Sequence, residues 1–177
     1  LAAVSVEAAV NTTVTSVTTT SRTNYIKDNQ DVKRLLNTIE PEETFYRVEK
    51  VTRKTKNDGA WMNFPTVSLF SSTANRGLTA FFKEVGCEGN TNAYSITGST
   101  PLIDSLFSVK YGLYSSEQTQ IPNLMPMGQE GETWLYMRHD TLPVGFMVES
   151  DLEAVWMRDL GNPALVQNQL CDIIGAD

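Results

Sequence analysis

Apolar residues recur along this chain at two spacings, one typical of helices and one typical of strands. An apolar side chain at every third or fourth position predicts helices over residues 28–43, 75–86, 99–109 and 162–176. In the last of these, Asn162 is a suitable cap, Pro163 takes the first helical position and Gly175 ends the helix. Its apolar stripe consists of Leu165, Val166, Leu170, Ile173 and Ile174.

Alternation of apolar and polar residues predicts strands over residues 44–52, 93–97, 110–116, 133–140 and 142–150. The last two are close in sequence and predict a hairpin. Shorter or weaker patterns predict helices over 2–11 and 151–161, and a strand or loop over 66–72.

The remaining segments lack either period. Residues 12–25 are rich in threonine and predict an extended linker or an edge strand. Residues 116–132 are polar and contain proline and glycine, which predicts a mobile loop. The stretch "GCEGN" (86–90) predicts a turn after a helix.

The order of these elements predicts the fold class. Helices and strands interleave, but the hairpin argues against a purely parallel sheet. We therefore expect an α/β (α+β) fold with a mixed β-sheet and helices packed on it, as a two-layer or three-layer sandwich. Residues 1–24 form an N-terminal arm in this prediction, and residues 25–177 form the α/β domain.

The strand at 44–52 carries charge inside its alternation. Arg47 and Glu49 share one face with Phe45, whereas Val48 and Lys50 lie on the other. Arg47 and Glu49 can therefore pair with each other or with a neighbouring strand. If that face is buried, the pairing is structural, because an unpaired buried charge is costly. If it opens on a groove, it is a candidate binding site.

Composition excludes some classes of partner. The chain has 177 residues and a net charge of −7. This charge argues against nucleic acid and against anionic lipid, because both are bound through an excess of Lys and Arg. No stretch reaches the roughly 18 apolar residues that a membrane span needs. The chain begins "LAAVSVEAAV" without an initiator methionine, and we expect it to be a segment of a longer protein.

Candidate catalytic chemistry is sparse. No nucleophile elbow, phosphate loop or zinc motif occurs, and we predict no catalytic residue, metal or cofactor in this chain. The one histidine, His139, is expected to be a surface or hydrogen-bonded residue.

Cys87 and Cys171 are either two small buried side chains or a disulfide. The acid pairs Glu42/Glu43, Glu130/Glu132 and Glu149/Asp151 are expected to be solvated. The tryptophans Trp61, Trp134 and Trp156 are expected in the core, although they could form a sugar-stacking platform.

Seven stretches in a fixed order suggest a family. They are "FYRVE" (45–49), "KNDG" (56–59), "VSLFSSTAN" (67–75), "FFKEVG" (81–86), "LIDSLFSVKYGLYSS" (102–116), "LPVGFMV" (142–148) and "NPALVQNQLCDIIG" (162–175). Taken together they resemble the extracytoplasmic portion of the YfhO family of bacterial membrane proteins. The resemblance covers residues 25–177, and "VEAAVN" (6–11) is similar to the family's stretch leaving a transmembrane helix.

The resemblance implies a location and an activity for the parent protein. YfhO-like proteins are polytopic, mostly Gram-positive proteins of the GT-C glycosyltransferase type. They are associated with adding sugar from a polyprenyl-phosphate donor to surface polymers such as lipoteichoic acid. The implied location of this chain is the extracytoplasmic side of the cell membrane. Its implied partners are the membrane-embedded part of the same parent chain and a cell-surface glycopolymer.

One basic cluster is the candidate substrate site. It comprises Arg47, Lys50, Arg53, Lys54 and Lys56, with Asp58 in the turn that follows. Because the whole chain is acidic, a local basic patch would be needed to hold an anionic polymer. We therefore predict these residues as substrate-binding in an accessory, non-catalytic domain. An independent carbohydrate-binding module is the alternative, and a free-standing hydrolase is a third.

Overall fold

The computed structural model describes residues 2–18, 22–41, 44–119, 121 and 123–175. Its helices are α1 (Ala2–Thr18), α2 (Arg22–Ile26), α3 (Asn29–Leu36), α4 (Asp58–Met62), α5 (Arg76–Glu84), α6 (Pro101–Leu106), α7 (Leu152–Val155) and α8 (Pro163–Ile174). Its strands are β1 (Arg47–Lys50), β2 (Leu69–Phe70), β3 (Glu88–Asn90), β4 (Ala93–Ser95), β5 (Val109–Tyr114), β6 (Leu124–Glu130) and β7 (Thr133–Arg138).

A mixed sheet has the strand order β1-β5-β7-β6. β1 and β5 are parallel, so that Lys50 lies beside Leu113. β5 with β7, and β7 with β6, are antiparallel. A parallel pair needs a long crossover. Residues 51–108 form that crossover and contain a second, antiparallel sheet with the order β2-β4-β3. The predicted α+β class with a mixed sheet is confirmed.

Helix α3 covers one face of the mixed sheet. Its buried side chains Val32 and Leu35 pack in one cluster with Val48, Leu113 and Leu135 of three neighbouring strands. Alternate side chains of a strand point to the same face, and these three strand residues point to the face that α3 covers, so they are buried. The opposite face carries Gly112 and Tyr114, and the Tyr114 ring lies over Gly112, 2.6 Å from where a Cβ would stand.

A second core cluster joins the crossover to the C-terminal helix. The Phe82 ring of α5 stacks on Phe107 at 4.9 Å, and Val166 of α8 packs in the same cluster. Gln167 of α8 donates to the backbone oxygen of Val85 at 2.7 Å. Gly89 lets β3 approach α5 closely, since a Cβ there would meet the backbone oxygen of Thr79 at 2.1 Å. The crossover therefore shares a packed core with helix α8.

The threonine-rich segment was predicted wrongly. Residues 12–18 continue helix α1, and residues 22–26 form α2, whereas residues 19–21 lie outside the described part. Within α1, the hydroxyls of Thr13 and Thr15 donate to backbone oxygens four residues earlier, both at 2.7 Å. These bonds satisfy the two hydroxyls within the helix, so threonine is accommodated there despite its low helix propensity.

The hairpin that contains residues 133–138 is formed with the segment before them, not with the predicted segment 142–150 after them. Residues 124–130, predicted as part of a mobile loop, form β6 and pair with β7. Pro126 fits there because β6 is an edge strand, and the register shifts between Pro126 and Gly128. No strand forms over residues 142–150, all of them described, and residues 143–150 are exposed. Pro143 and Gly145 interrupt the alternation in that segment.

Several element boundaries also differ from the prediction. Residues 88–90 of the predicted turn form strand β3. The helices predicted over 28–43 and 151–161 are restricted to α3 and α7, and residues 42, 43 and 176 lie outside the described part. In α8, Val166 and Leu170 are buried as predicted, but Leu165 is 52% exposed.

The core predicts a contrast between two leucines. Leu135 is fully buried between helix α3 and the sheet, whereas Leu165 lies on the outer surface of α8. We expect Leu135→Ala to lower the free energy of unfolding by about 3 kcal/mol, because it leaves a cavity in the core. Leu165→Ala should change it by less than about 0.5 kcal/mol. Chemical denaturation of both variants checks this, and equal losses would contradict the described packing.

Candidate functional site

The charged alternation of β1 is mostly buried. Glu49 is 1% exposed, and its Oε1 accepts hydrogen bonds from the backbone nitrogens of Val67 at 2.6 Å and Ser68 at 2.9 Å. Its Oε2 accepts from the Ser68 hydroxyl at 2.9 Å. Arg47 instead donates to the backbone oxygen of Phe107 at 2.6 Å. Glu49 therefore binds β1 to residues 67–68 of the crossover.

Arg53 is the cationic partner of this buried carboxylate. Its Nη1 lies 3.5 Å from Glu49 Oε2 and donates to the Ser68 hydroxyl at 2.6 Å. Its Nη2 donates to Ser95 at 3.2 Å and also to the Thr97 hydroxyl. One guanidinium thus connects the end of β1 with strand β4 of the second sheet. This use exploits the fixed fork of Arg donors.

Two lysines share the carboxylate of Asp28. Lys50 Nζ lies 2.8 Å from Asp28 Oδ2 and 3.7 Å from Asp58 Oδ2, and the Lys50 side chain is only 6% exposed. Lys54 Nζ pairs with Asp28 Oδ1 and donates to the backbone oxygen of Tyr25. Burial opposes ionisation of Asp28, but hydrogen bonds from both lysines outweigh it and hold its pKa below the usual value.

The remaining members of the predicted basic cluster are also paired. Lys56 Nζ lies 2.8 Å from Glu88 Oε1, and hydrogen bonds from Lys56 and Ser95 lower the pKa of Glu88. Asp58 is buried and accepts from the backbone nitrogens of Lys54 at 2.8 Å and Thr55 at 2.9 Å. The cluster therefore contains both signs of charge, and its role in substrate binding stays a prediction.

Three adjoining cavities follow the carboxyl end of β1. The aromatic cavity, about 720 Å³, is lined by Tyr25, Lys54, Thr55, Lys56, Asn57, Ala60, Trp61 and Phe70. The central cavity, about 150 Å³, is lined by Asp28, Lys50, Thr52, Arg53, Lys54, Leu113, Tyr114, Ser115 and Thr133. The arginine cavity, about 320 Å³, is lined by Val51, Arg53, Ile96, Thr97, Gly98, Ser99, Thr100, Pro101, Asp104, Tyr114, Ile121 and Arg138.

Shared residues connect these cavities. Lys54 lines the aromatic and central cavities, and Arg53 and Tyr114 line the central and arginine cavities. The carboxyl ends of parallel strands are a common place for ligands in α/β folds. The structure brings four predicted residues to this groove, namely Lys50, Arg53, Lys54 and Lys56. It places Arg47 and Asp58 outside the cavity linings.

The aromatic cavity was missed by the sequence analysis. Trp61, expected in the core, is 55% exposed, and Phe70 is 57% exposed. The Tyr25 ring meets Trp61 edge to face at 5.7 Å. Helix α4 presents Trp61 outward because its Gly59 is buried against Thr66 on the other side. A signal was present, since Trp61 stands between two turn-forming stretches, "NDG" and "NFP".

Other sequence candidates lie apart from this groove. His139 is exposed, as predicted. Cys87 and Cys171 are both free, and burial raises the pKa of the Cys87 thiol to about 11. Glu130 and Glu132 pair with exposed cations, whereas Glu149 and Asp151 are exposed. Within the described ranges no group of three His, Cys, Asp or Glu side chains is placed to hold a metal ion.

Comparison with known proteins identifies one family. The family model described as "Bacterial membrane protein YfhO" matches residues 1–176. No curated protein and no solved structure matches the chain. None of the helices in the described part combines the length and apolar character needed to cross a membrane.

The buried carboxylate predicts a stability contrast. Glu49→Gln keeps the side-chain shape but turns an amide NH₂ towards donors and removes the charge opposite Arg53. We expect a loss of about 3 kcal/mol in the free energy of unfolding. Glu132→Gln is the matched control, because Glu132 pairs with Lys27 where both side chains are largely exposed, and it should cost less than about 0.5 kcal/mol. Denaturant titration distinguishes the two, and similar small losses would refute the structural role of Glu49.

The lowered pKa of Asp28 makes the stability of the fold depend on pH. Its folded pKa is lower than the usual value of 3.8, so its stabilising effect is complete above that pH and is lost as pH falls through the folded pKa. We expect Asp28→Asn to be less stable than the wild type at pH 7, with the difference shrinking below about pH 4. Asp159→Asn, at an exposed carboxylate, is the control. A difference that stays constant across this range would contradict the pairing with Lys50 and Lys54.

Proposed function

Because the chain belongs to the YfhO family of bacterial membrane proteins, we propose that it is an accessory, extracytoplasmic domain of a membrane glycosyltransferase. In this proposal residues 25–177 form the domain and residues 1–24 connect it to the membrane-embedded part of the parent protein. The domain binds the surface glycopolymer that accepts the sugar, of the lipoteichoic acid type. The transfer reaction belongs to the membrane-embedded part, which uses a polyprenyl-phosphate sugar.

The aromatic cavity is the observation that carries this proposal. Its two exposed rings, Trp61 and Phe70, offer apolar surface that packs well against the C–H face of a sugar ring. Lys54 and Lys56 line the same cavity, and both side chains are 26% exposed. An aromatic surface beside a few polar groups is the usual composition of a ligand site. The volume of about 720 Å³ suits a segment of polymer rather than a small ion.

The charge balance favours contact with the sugar part of the polymer. The chain carries −7, so its long-range field repels a polyanion. The cations nearest the groove are already paired with Asp28 and Glu88, and they supply little net positive charge. Aromatic stacking on neutral sugar substituents avoids this repulsion.

The carboxylates near the groove are engaged in structural contacts, which favours a binding role for the domain over a catalytic one. Asp28 holds two lysines, Asp58 accepts from two backbone nitrogens, and Glu49 is enclosed by donors. A general acid or base must instead be within reach of substrate and free to exchange a proton. The second candidate function, an independent carbohydrate-binding module, is favoured by the exposure of two aromatic rings, Trp61 and Phe70, in one cavity.

The proposal predicts the effect of removing one ring. Trp61→Ala should weaken binding of a glycosylated glycerol-phosphate polymer about tenfold, because the stacking surface is lost. Phe146→Ala, which removes an exposed ring outside the three cavities, is the control. Isothermal titration with glycosylated and unglycosylated polymer measures both variants. Unchanged affinity of Trp61→Ala would count against the aromatic cavity.

A second experiment separates the two candidate functions. Trp61→Ala is placed in the full-length parent protein and the sugar content of the surface polymer is measured. An accessory acceptor-binding domain predicts reduced glycosylation with the protein still present in the membrane. Full glycosylation together with lost polymer binding would favour the independent binding module.

A further inference from the structure

Two side chains that line the arginine cavity, Asp104 and Arg138, each carry a buried polar atom without a hydrogen-bond partner in the described structure. Arg138 Nη2 lies 2.7 Å from Asp104 Oδ2 and 3.4 Å from the Tyr114 hydroxyl. The Asp104 side chain is 4% exposed. Its second oxygen, Oδ1, is buried without a hydrogen-bond partner in the described structure, and so is Arg138 Nε. Such atoms are costly when nothing satisfies them, and each calls for an explanation.

These two atoms require complementary partners. Oδ1 of an ionised Asp104 needs a donor, whereas the Nε–H of Arg138 needs an acceptor. A hydroxyl group is both a donor and an acceptor, so its chemistry matches either atom. A phosphate or carboxylate group can serve only Arg138 and would bring a second negative charge beside Asp104.

The walls add further selectivity. Ile96, Pro101 and Ile121 contribute apolar residues to the lining, and Thr97 and Ser99 contribute polar ones. A volume of about 320 Å³ is at the lower end of the roughly 300–1,000 Å³ usual for ligand sites, so it fits a single ring. The formal charges cancel, because Arg53 faces Glu49 and Arg138 faces Asp104.

We propose that the arginine cavity binds one neutral, polyhydroxylated ring, the size of a monosaccharide, with hydroxyls placed at Asp104 Oδ1 and Arg138 Nε. Burial raises the pKa of Asp104, and the charge of Arg138 and a hydrogen bond from the Ser99 side chain oppose that rise. A hydroxyl serves either form of this carboxyl, since it donates to the ionised oxygen and accepts from the protonated one. The site is separate from the aromatic cavity and does not rest on the proposed acceptor function.

The test uses NMR on the ¹⁵N-labelled chain. Glucose, galactose and N-acetylglucosamine are titrated in turn, followed by glucuronate and inorganic phosphate. The readout is the Arg138 Nε–H signal, assigned with Arg138→Lys, together with the backbone signals of Thr97 and Ser99. We expect at least one neutral sugar to shift these signals in a saturable manner and more tightly than either anion does.

Two variants locate the site. Tyr114→Phe removes the hydroxyl beside Arg138 and should weaken sugar binding about fivefold. Val51→Trp places a large ring on a 43% exposed residue lining the cavity and should abolish binding. Val144→Trp, at a 53% exposed position outside the three cavities, is the matched control. Should Tyr114→Phe fail to fold, Val51→Trp still decides the question.

Three results would overturn the inference. No neutral sugar shifts the Arg138 signal, in which case ordered water satisfies Asp104 Oδ1 and Arg138 Nε. Phosphate or glucuronate binds more tightly than every neutral sugar. Val51→Trp binds sugar as well as Val144→Trp does. Trp61→Ala keeps this binding under the proposal, so failure here and failure of the aromatic cavity are distinguishable.

Discussion

The carboxylate of Glu49 organises the centre of this fold. A charged group with almost no exposure is costly unless donors surround it, and Glu49 has donors from the backbone at residues 67–68 and from Arg53. Those donors all belong to the crossover that follows the parallel strand β1. Satisfying one carboxylate therefore fixes where the crossover leaves the mixed sheet and how its second sheet is held.

The groove is a consequence of the same arrangement. Residues 50–56 are held by ion pairs on the inside, with Lys50 directed at Asp28 and Arg53 at Glu49. Residues of this loop line all three cavities, so the ion pairs that hold the loop also position the cavity walls. The ion pairs leave these residues with little net charge, but their side chains still offer hydrogen-bond donors and acceptors. Such a surface suits uncharged polar ligands.

Elements whose deciding information is local can be predicted from the sequence. The period of two over residues 44–52 and the cap and proline of α8 depend on neighbours in the chain, and both elements are present. Two predictions were wrong: residues 12–18, expected as an extended linker or an edge strand, are helical, and residues 142–150, expected as a strand from their alternation, form none. The candidate site shows the same division. The basic cluster was visible as a run of charge, but Asp28 and Asp104 are distant in sequence from the cations that they contact.

The crossover has a consequence for the order of folding. Pairing of β1 with β5 joins Arg47 to the region of Val109, and such non-local contacts form slowly because a long loop must close first. The crossover itself contains contacts that are close in sequence, including β3 with β4 and α5 with β3. If residues 51–108 fold first, the flexible loop that must close between β1 and β5 is shorter. The two parallel strands then pair after the crossover has formed.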